Sequence, residues 1–226
     1  MKKIDHLISS QKNLYEANFL RHGDTPNGTY NQNNTIQNLR FSQIASFIDA
    51  ESNQFTLHDV GCGVCDFYSY IKKNYSNIIY SGTDIIENMR EMALTKHKNI
   101  DYKVRNILDA EINEKYDYII LSGVFNLPGE ATLKDWEQFV YSMVDKMYAM
   151  CNKKVIFNCL SSQATYYNSK MYYVNPEEMM KYCMEKHSRF VNINHAYPLY
   201  EFTFSITHPA SIREKYQQQE LAKYIQ

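Results

Sequence analysis

Strand-like apolar runs alternate with helix-like stretches along most of this chain, and that alternation restricts its fold more than any other feature. Ile36, Leu39, Phe41, Ile44, Ala45, Phe47 and Ile48 approximate helical spacing and predict a helix over about 35–50. Thr56 to Val60 follows as a strand halted by Gly61, then a helix over about 65–74 and a second strand, Ile78 to Thr83, ending at Asp84. A helix over about 85–97 leads to a third strand, Tyr102 to Arg105, and Tyr116 to Leu121 makes a fourth. Thr132 to Met150 is long and amphipathic, and Lys154 to Asn158 is a fifth strand. Asn175-Pro176-Glu177-Glu178 starts a helix that runs to about His187, with an N-cap candidate, a first-turn proline and two acids. Phe190 to Ile193 and Tyr200 to Ile206 are joined by too short a loop for a parallel crossover, so they pair antiparallel. The expected fold is α/β and doubly wound: a mostly parallel seven-stranded sheet, covered on both faces, with a C-terminal antiparallel hairpin.

The 226 residues contain no Pro/Gly-rich linker, charge block or repeat. One domain over 35–207 is therefore expected, with an N-terminal helix and lid segment at 1–34 and a helical tail at 208–226. Net charge is −1, from 24 basic and 25 acidic side chains. That leaves no basic excess to neutralise a nucleic-acid backbone, so no nucleic-acid partner is expected. No apolar run is long enough to span a membrane, and the polar start, Met1-Lys2-Lys3-Ile4-Asp5-His6, lacks a signal peptide's apolar core. Five cysteines, an odd number thinly spread, point to a reduced cytoplasmic compartment. Nothing in the sequence separates a monomer from a homodimer.

Chemistry concentrates in Asp59-Val60-Gly61-Cys62-Gly63-Val64-Cys65-Asp66, between the first strand and its helix. Glycines there allow a tight turn and close approach of backbone to a ligand. Asp84 ends the next strand, where a carboxylate can accept both hydroxyls of a ribose. Loop and acid together predict an adenosine-containing cofactor. A dinucleotide fingerprint would place a third glycine where Asp66 stands, and an acid beside that helix start opposes a pyrophosphate. A loop ringed by acids suits a positively charged ligand. Cys62 and Cys65 lack a second Cys/His pair at zinc-ligand spacing, so no metal is expected.

These residues resemble the class I S-adenosylmethionine-dependent methyltransferases over about 20–207. Asp59 to Gly63 looks like their first motif, and Asp84, followed by Ile85, matches their ribose-binding acid. Asn106-Ile107 lies where the family's adenine-contacting pair follows the third strand, with Asn in place of the more usual Asp. Ser122-Gly123-Val124-Phe125-Asn126 lies at the motif after the fourth strand. A narrower likeness, to a bacterial subgroup acting on small molecules, rests on Arg21-His22-Gly23-Asp24-Thr25-Pro26, Leu39-Arg40-Phe41 and Tyr197-Pro198-Leu199-Tyr200-Glu201-Phe202. The resemblance implies S-adenosylmethionine as cofactor, held by Arg40, Asp59, Gly61, Cys62, Gly63, Asp66, Asp84, Ile85, Asn106, Ile107 and Ser122. Within that set Arg40 would pair with the cofactor carboxylate, and Asp59 would support the loop or meet the methionyl amino group.

The implied activity is in-line methyl transfer to a small-molecule acceptor, at oxygen. The alternative is a protein of the same fold that binds the cofactor as a sensor or scaffold without turnover. Amino-directed DNA enzymes carry Asp/Asn-Pro-Pro-aromatic after the fourth strand, unlike the Ser122-Gly123-Val124-Phe125 found here. A neutral hydroxyl acceptor needs a base. His22, in the expected lid, is the first candidate because imidazole titrates near neutrality, with Asp24 orienting it or binding substrate. His195, near the end of the sixth strand, is the second. Tyr166, Tyr167, Tyr172 and Tyr173 follow the fifth strand on the expected substrate side, as substrate wall or loop packing. His58, His97 and His187 read as structural or exposed.

Overall fold

The structure of the protein, a computed structural model, describes residues 2–49, 53–109 and 113–225. The chain opens with α1 (Lys2–His22), a 3-10 turn (Pro26–Thr29) and α2 (Asn34–Ala45). Alternating units follow: β1 (Phe55–Val60), α3 (Asp66–Ile71), β2 (Ile78–Asp84), α4 (Glu87–Lys96), β3 (Asp101–Val104) and β4 (Tyr116–Leu121). Then come α5 (Leu133–Met150), β5 (Cys151–Leu160), α6 (Pro176–Lys186), β6 (Val191–Asn194), β7 (Glu201–Thr207) and α7 (Pro209–Lys215). The seven strands form one sheet in the order β3-β2-β1-β4-β5-β7-β6. Strands β1 to β5 run parallel, and β7 enters between β5 and β6, antiparallel to both.

Alternation along the central strands explains the two covered faces. Ile119 and Leu121 of β4 and Val155 and Phe157 of β5 belong to one apolar cluster. Tyr118, Ile120 and Ile156, pointing the other way, belong to a second. On the first face α5 supplies Trp136, Val140, Met143 and Met147 at helical spacing. On the second, α2 and α3 supply Phe41, Ile44, Phe67 and Ile71. Caps mark the helix starts: the side chains of Asn33, Thr132 and Asn175 accept first-turn backbone N–H groups.

Three elements depart from the sequence expectation. Helix α2 stops at Ala45 rather than near 50. Strand β5 begins at Cys151, which pairs with Tyr116 of β4, and runs on to Leu160, which pairs with Glu201 of β7. The tail is a two-turn helix followed by a 3-10 segment (Gln219–Tyr224), not one helix.

A buried ion pair fixes β7 against α2 and sets the geometry at the carboxyl ends of the strands. Glu201, 2% exposed at the start of β7, accepts from Arg40 Nε at 2.8 and 3.0 Å and from its terminal Nη2. Its Oε2 also accepts from Asn158 Nδ2 at 2.7 Å, and Asn158 Oδ1 accepts the Gly123 backbone N–H at 2.8 Å. Arg40 reaches further, to Asn31 Oδ1 at 2.6 Å. Removing one partner leaves the other charge buried and unpaired, which costs about 3–5 kcal/mol. Arg40→Ala is therefore expected to lose stability on that scale in chemical denaturation, and Arg40→Met with Glu201→Leu to recover most of the loss.

Candidate functional site

The carboxyl ends of β1, β2, β3 and β4 open into one cavity, the position where open α/β sheets bind ligands. The chain leaves β1 through Gly61 at φ +72°, a left-handed turn in which a Cβ would stand 2.4 Å from Val124 Cγ2. Backbone N–H groups of Gly61 and Cys62 both reach the Thr83 carbonyl, at 2.7 and 3.2 Å. The Gly63 N–H then donates to Asp84 Oδ2 at 2.9 Å, while Tyr102 donates to the Gly63 carbonyl at 2.9 Å. Asp84 Oδ1 accepts from the N–H groups of Ile85 and Ile86, at 2.7 and 3.2 Å. The first loop and the second strand end are thus locked together through one carboxylate.

That carboxylate is one of three acids on the cavity wall. Burial pushes Asp84 up, and its three backbone donors hold it down. Burial also raises Asp59, from an ordinary 3.8 to about 7; the Tyr80 hydroxyl, donating to its Oδ2 at 2.7 Å, opposes the shift, and the charges of Asp84 and Asp66 add to it. Asp66 shares its charge with Lys96 Nζ at 2.7 Å and accepts from Gln37 Nε2 at 3.1 Å. Beyond β3, Asn106 Oδ1 accepts the Leu108 N–H at 3.0 Å, leaving its buried Nδ2 without a partner.

No protein-family model matches the chain. A curated relative from Mycobacterium tuberculosis, named "Putative methyltransferase Rv1506c", is 28% identical over 160 residues, covering 69% of this chain and 94% of that protein. Among solved structures, magnesium protoporphyrin IX methyltransferase from Synechocystis PCC 6803 with bound SAH matches with a TM-score of 0.62 at 14% identity. That match covers 87% of this chain and 99% of the other. The N-methyltransferase NodS from Bradyrhizobium japonicum, in complex with S-adenosyl-L-homocysteine, matches with a TM-score of 0.55 at 15% identity, over 90% and 98% of the two chains. The chain shares the fold of these methyltransferases and is similar in sequence to the mycobacterial relative.

As in the methyltransferase pattern, all eleven residues expected at the cofactor gather on this cavity. Arg40, Asp59, Gly61, Cys62, Gly63 and Asp66 line it, together with Asp84, Ile85, Asn106, Ile107 and Ser122. S-adenosylmethionine fits them: the glycine loop borders the cavity, three acids that line it suit a positively charged ligand, and Asn106 keeps an unused buried donor. Arg40 differs from expectation, because Glu201 and Asn31 already occupy its guanidinium. Cys62 and Cys65 are buried free thiols, and among the described residues no group of His, Cys, Asp and Glu is arranged to hold a metal ion.

None of the three residues expected at the chemical step lines the cavity. His22 is exposed in the last turn of α1, its carbonyl accepting from Thr25 Oγ1 at 3.0 Å. Asp24 pairs with Lys96 Nζ at 3.0 Å, and exposed His195 stands edge-on to Phe202. What residues 1–34 do contribute is a roof: Ile8, Gln11 and Tyr15 from α1, then Thr29, Tyr30 and Asn31. Their spacing along one face of α1 was the signal, but polar neighbours around the helix obscured it. Of the four tyrosines after β5, Tyr172 packs on the core, and Tyr173 accepts the Asn168 N–H within its own loop. His58 is wholly buried between Ser81 and Thr83, and burial lowers it to about 3.

Three outcomes follow for this site. Asp84→Ala should weaken S-adenosylhomocysteine binding by about 1.5–3 kcal/mol in calorimetry, the scale of bonds to a charged group. Asp59 must be ionised to attract the ligand ammonium, so affinity should fall as pH drops through about 7, by up to about tenfold per pH unit, and Asp59→Asn should flatten that profile. The stability sign is opposite. The folded site holds this proton more tightly than the unfolded chain, so ligand-free stability declines as pH rises from about 4 through about 7. Asp59→Asn should accordingly raise the Tm of the ligand-free protein above about pH 7.

Proposed function

We propose that the protein transfers a methyl group from S-adenosylmethionine to an oxygen of a small-molecule acceptor, in line. The observation that carries this reading is the joint at Asp84, where one carboxylate orders the glycine loop and still faces the cavity with lone pairs for ribose hydroxyls. When bound, the cofactor supplies a methyl group on a sulfonium that leaves as a neutral thioether. The protein's own residues bind and align: Asp59 and the loop at Gly61 to Gly63 hold the methionyl end, Asp84 the ribose, and Asn106 with Ile107 the base. Aromatic and aliphatic walls from Trp136, Phe139, Met143 and Leu127 keep part of the cavity dry. Proximity and alignment supply most of the rate gain. Residues 1–34 act as helix and lid over the domain at 35–207, and the net charge of −1 supports a small acceptor rather than a nucleic acid. We place this activity in the bacterial cytoplasm.

His22, Asp24 and His195 would enter the reaction only if the lid or the loop before β7 moved inward. The arrangement observed favours transfer by alignment to an oxygen that is already anionic, such as a carboxylate, which has no proton to lose and needs no base. His22→Ala should therefore keep the rate on the true acceptor within about threefold of wild type, whereas loss of a general base costs about 10²–10⁴-fold. A metabolite screen monitored by S-adenosylhomocysteine release tests the whole reading. Release that depends on one acceptor is the expected result. Tight cofactor binding with no release across the screen would favour the sensor or scaffold.

A further inference from the structure

Asn158 lies near the carboxyl end of β5, 1% exposed, and both ends of its amide are in use. Its Nδ2 donates to Glu201 Oε2 at 2.7 Å, and its Oδ1 accepts the Gly123 N–H at 2.8 Å. A carboxylate only accepts and a backbone N–H only donates, so these two partners fix which way the amide points. The parallel ladder between β4 and β5 ends at Leu121 opposite Phe157, and just beyond it the Asn158 side chain supplies an acceptor that the ladder no longer gives. Glu201 is held in turn by Arg40, whose Nε donates to both of its oxygens.

What Asn158 holds is the start of the loop after β4. Gly123 turns left-handed there, at φ +77°, and the chain continues into a 3-10 turn over Val124–Asn126. Ser122, Gly123, Val124 and Asn126 all line the cavity, whereas Asn158 and Glu201 do not. Val124 meets the wall on the other side: its Cγ2 stands 2.4 Å from where a Cβ on Gly61 would be. The loop after β4 and the glycine turn after β1 therefore touch without slack, and a displacement of Gly123 is felt at Gly61. The far end of the loop is pinned separately, by Asn126 Oδ1 accepting the Leu160 N–H at 3.2 Å. The pin at Gly123 is the one that hangs on a charge.

We propose that Asn158 is a positioning residue for cofactor binding: oriented by Glu201, its amide holds Gly123 so that Ser122 and Val124 complete the wall facing the ligand. This rests on the reading of the cavity as an S-adenosylmethionine site. Asn158 acts through the loop and touches no ligand itself. Turning its amide round would set Nδ2 against the Gly123 N–H, donor against donor, and the loop would lose its anchor. Glu201 thus serves the site by the polarity that it imposes on Asn158, as well as by its pairing with Arg40.

The test exchanges polarity along this relay. Glu201→Gln puts an N–H where an acceptor oxygen stood, which turns the Asn158 amide round and leaves Gly123 without its acceptor. Asn158→Asp keeps an acceptor for Gly123 but sets two carboxylates against each other. In the double variant the new glutamine donates to the new aspartate, the aspartate accepts from Gly123, and the number of charges is unchanged. Calorimetry with S-adenosylhomocysteine, at a temperature where each protein is folded, should find each single variant weaker by roughly tenfold and the double variant within about threefold of wild type. A residue that served stability alone would lower the Tm of the single variants and leave their affinity unchanged. A folded single variant that binds within about threefold of wild type would overturn the proposal, as would a double variant outside that range or one that fails to fold. The double variant therefore decides even where a single one does not fold. Failure of wild type to bind S-adenosylhomocysteine at all would remove the underlying reading of the cavity, and so is distinguishable.

Discussion

The Asp84 carboxylate joins the loop after β1 to the one after β2. One oxygen receives the Gly63 N–H from the turn after β1, and the other receives the N–H groups of Ile85 and Ile86 after β2. A carboxylate buried to this extent is expensive unless hydrogen bonds surround it, and those bonds come from backbone whose path the carboxylate thereby fixes. The path of the loop at Gly63 and the extended residue Ile86 before α4 are both tied to this one side chain. Its remaining lone pairs face the cavity, so the group that organises the wall is also the one best placed to meet a ligand.

A second organising element is electrostatic and long in reach. Arg40, Glu201, Asn158 and Asn31 link the N-terminal segment, α2, β5 and β7, and through Gly123 the loop after β4. The cavity's border at α2, Asn31 and the loop after β4 is therefore held by one polar network rather than by apolar packing alone. Such a network specifies geometry more than it adds stability, since a buried pair gains little over well-packed hydrocarbon. On the opposite wall Asp59 is raised far above an ordinary carboxyl by its burial first, with the charges of Asp84 and Asp66 adding to it.

Much of this was legible before any coordinates. Runs such as Tyr118 to Leu121 and Val155 to Phe157 bury both faces, and only a covered parallel sheet accommodates that. Gly61, Gly63 and Asp84 were legible because turn chemistry and strand ends are local properties of a sequence. The pairing of Arg40 with Glu201 was not, since residues 161 apart in the chain leave no periodic trace of meeting. The face of α1 that roofs the cavity escaped because its key members, Gln11 and Tyr15, are polar or amphipathic. His22 attracted attention for its chemistry, yet it falls in the last, exposed turn of a 21-residue helix.

Helix α1 bears on time as well as on shape. Asn18 ties it to the carbonyls of Asn27 and Gly28, and Tyr15 stacks edge-on to Tyr30, so the helix and the turn after it move as one piece. Any ligand lying beneath Gln11 and Tyr15 is covered by a piece that must shift as a whole, so the roof couples entry and exit on that side to the motion of helix and turn together.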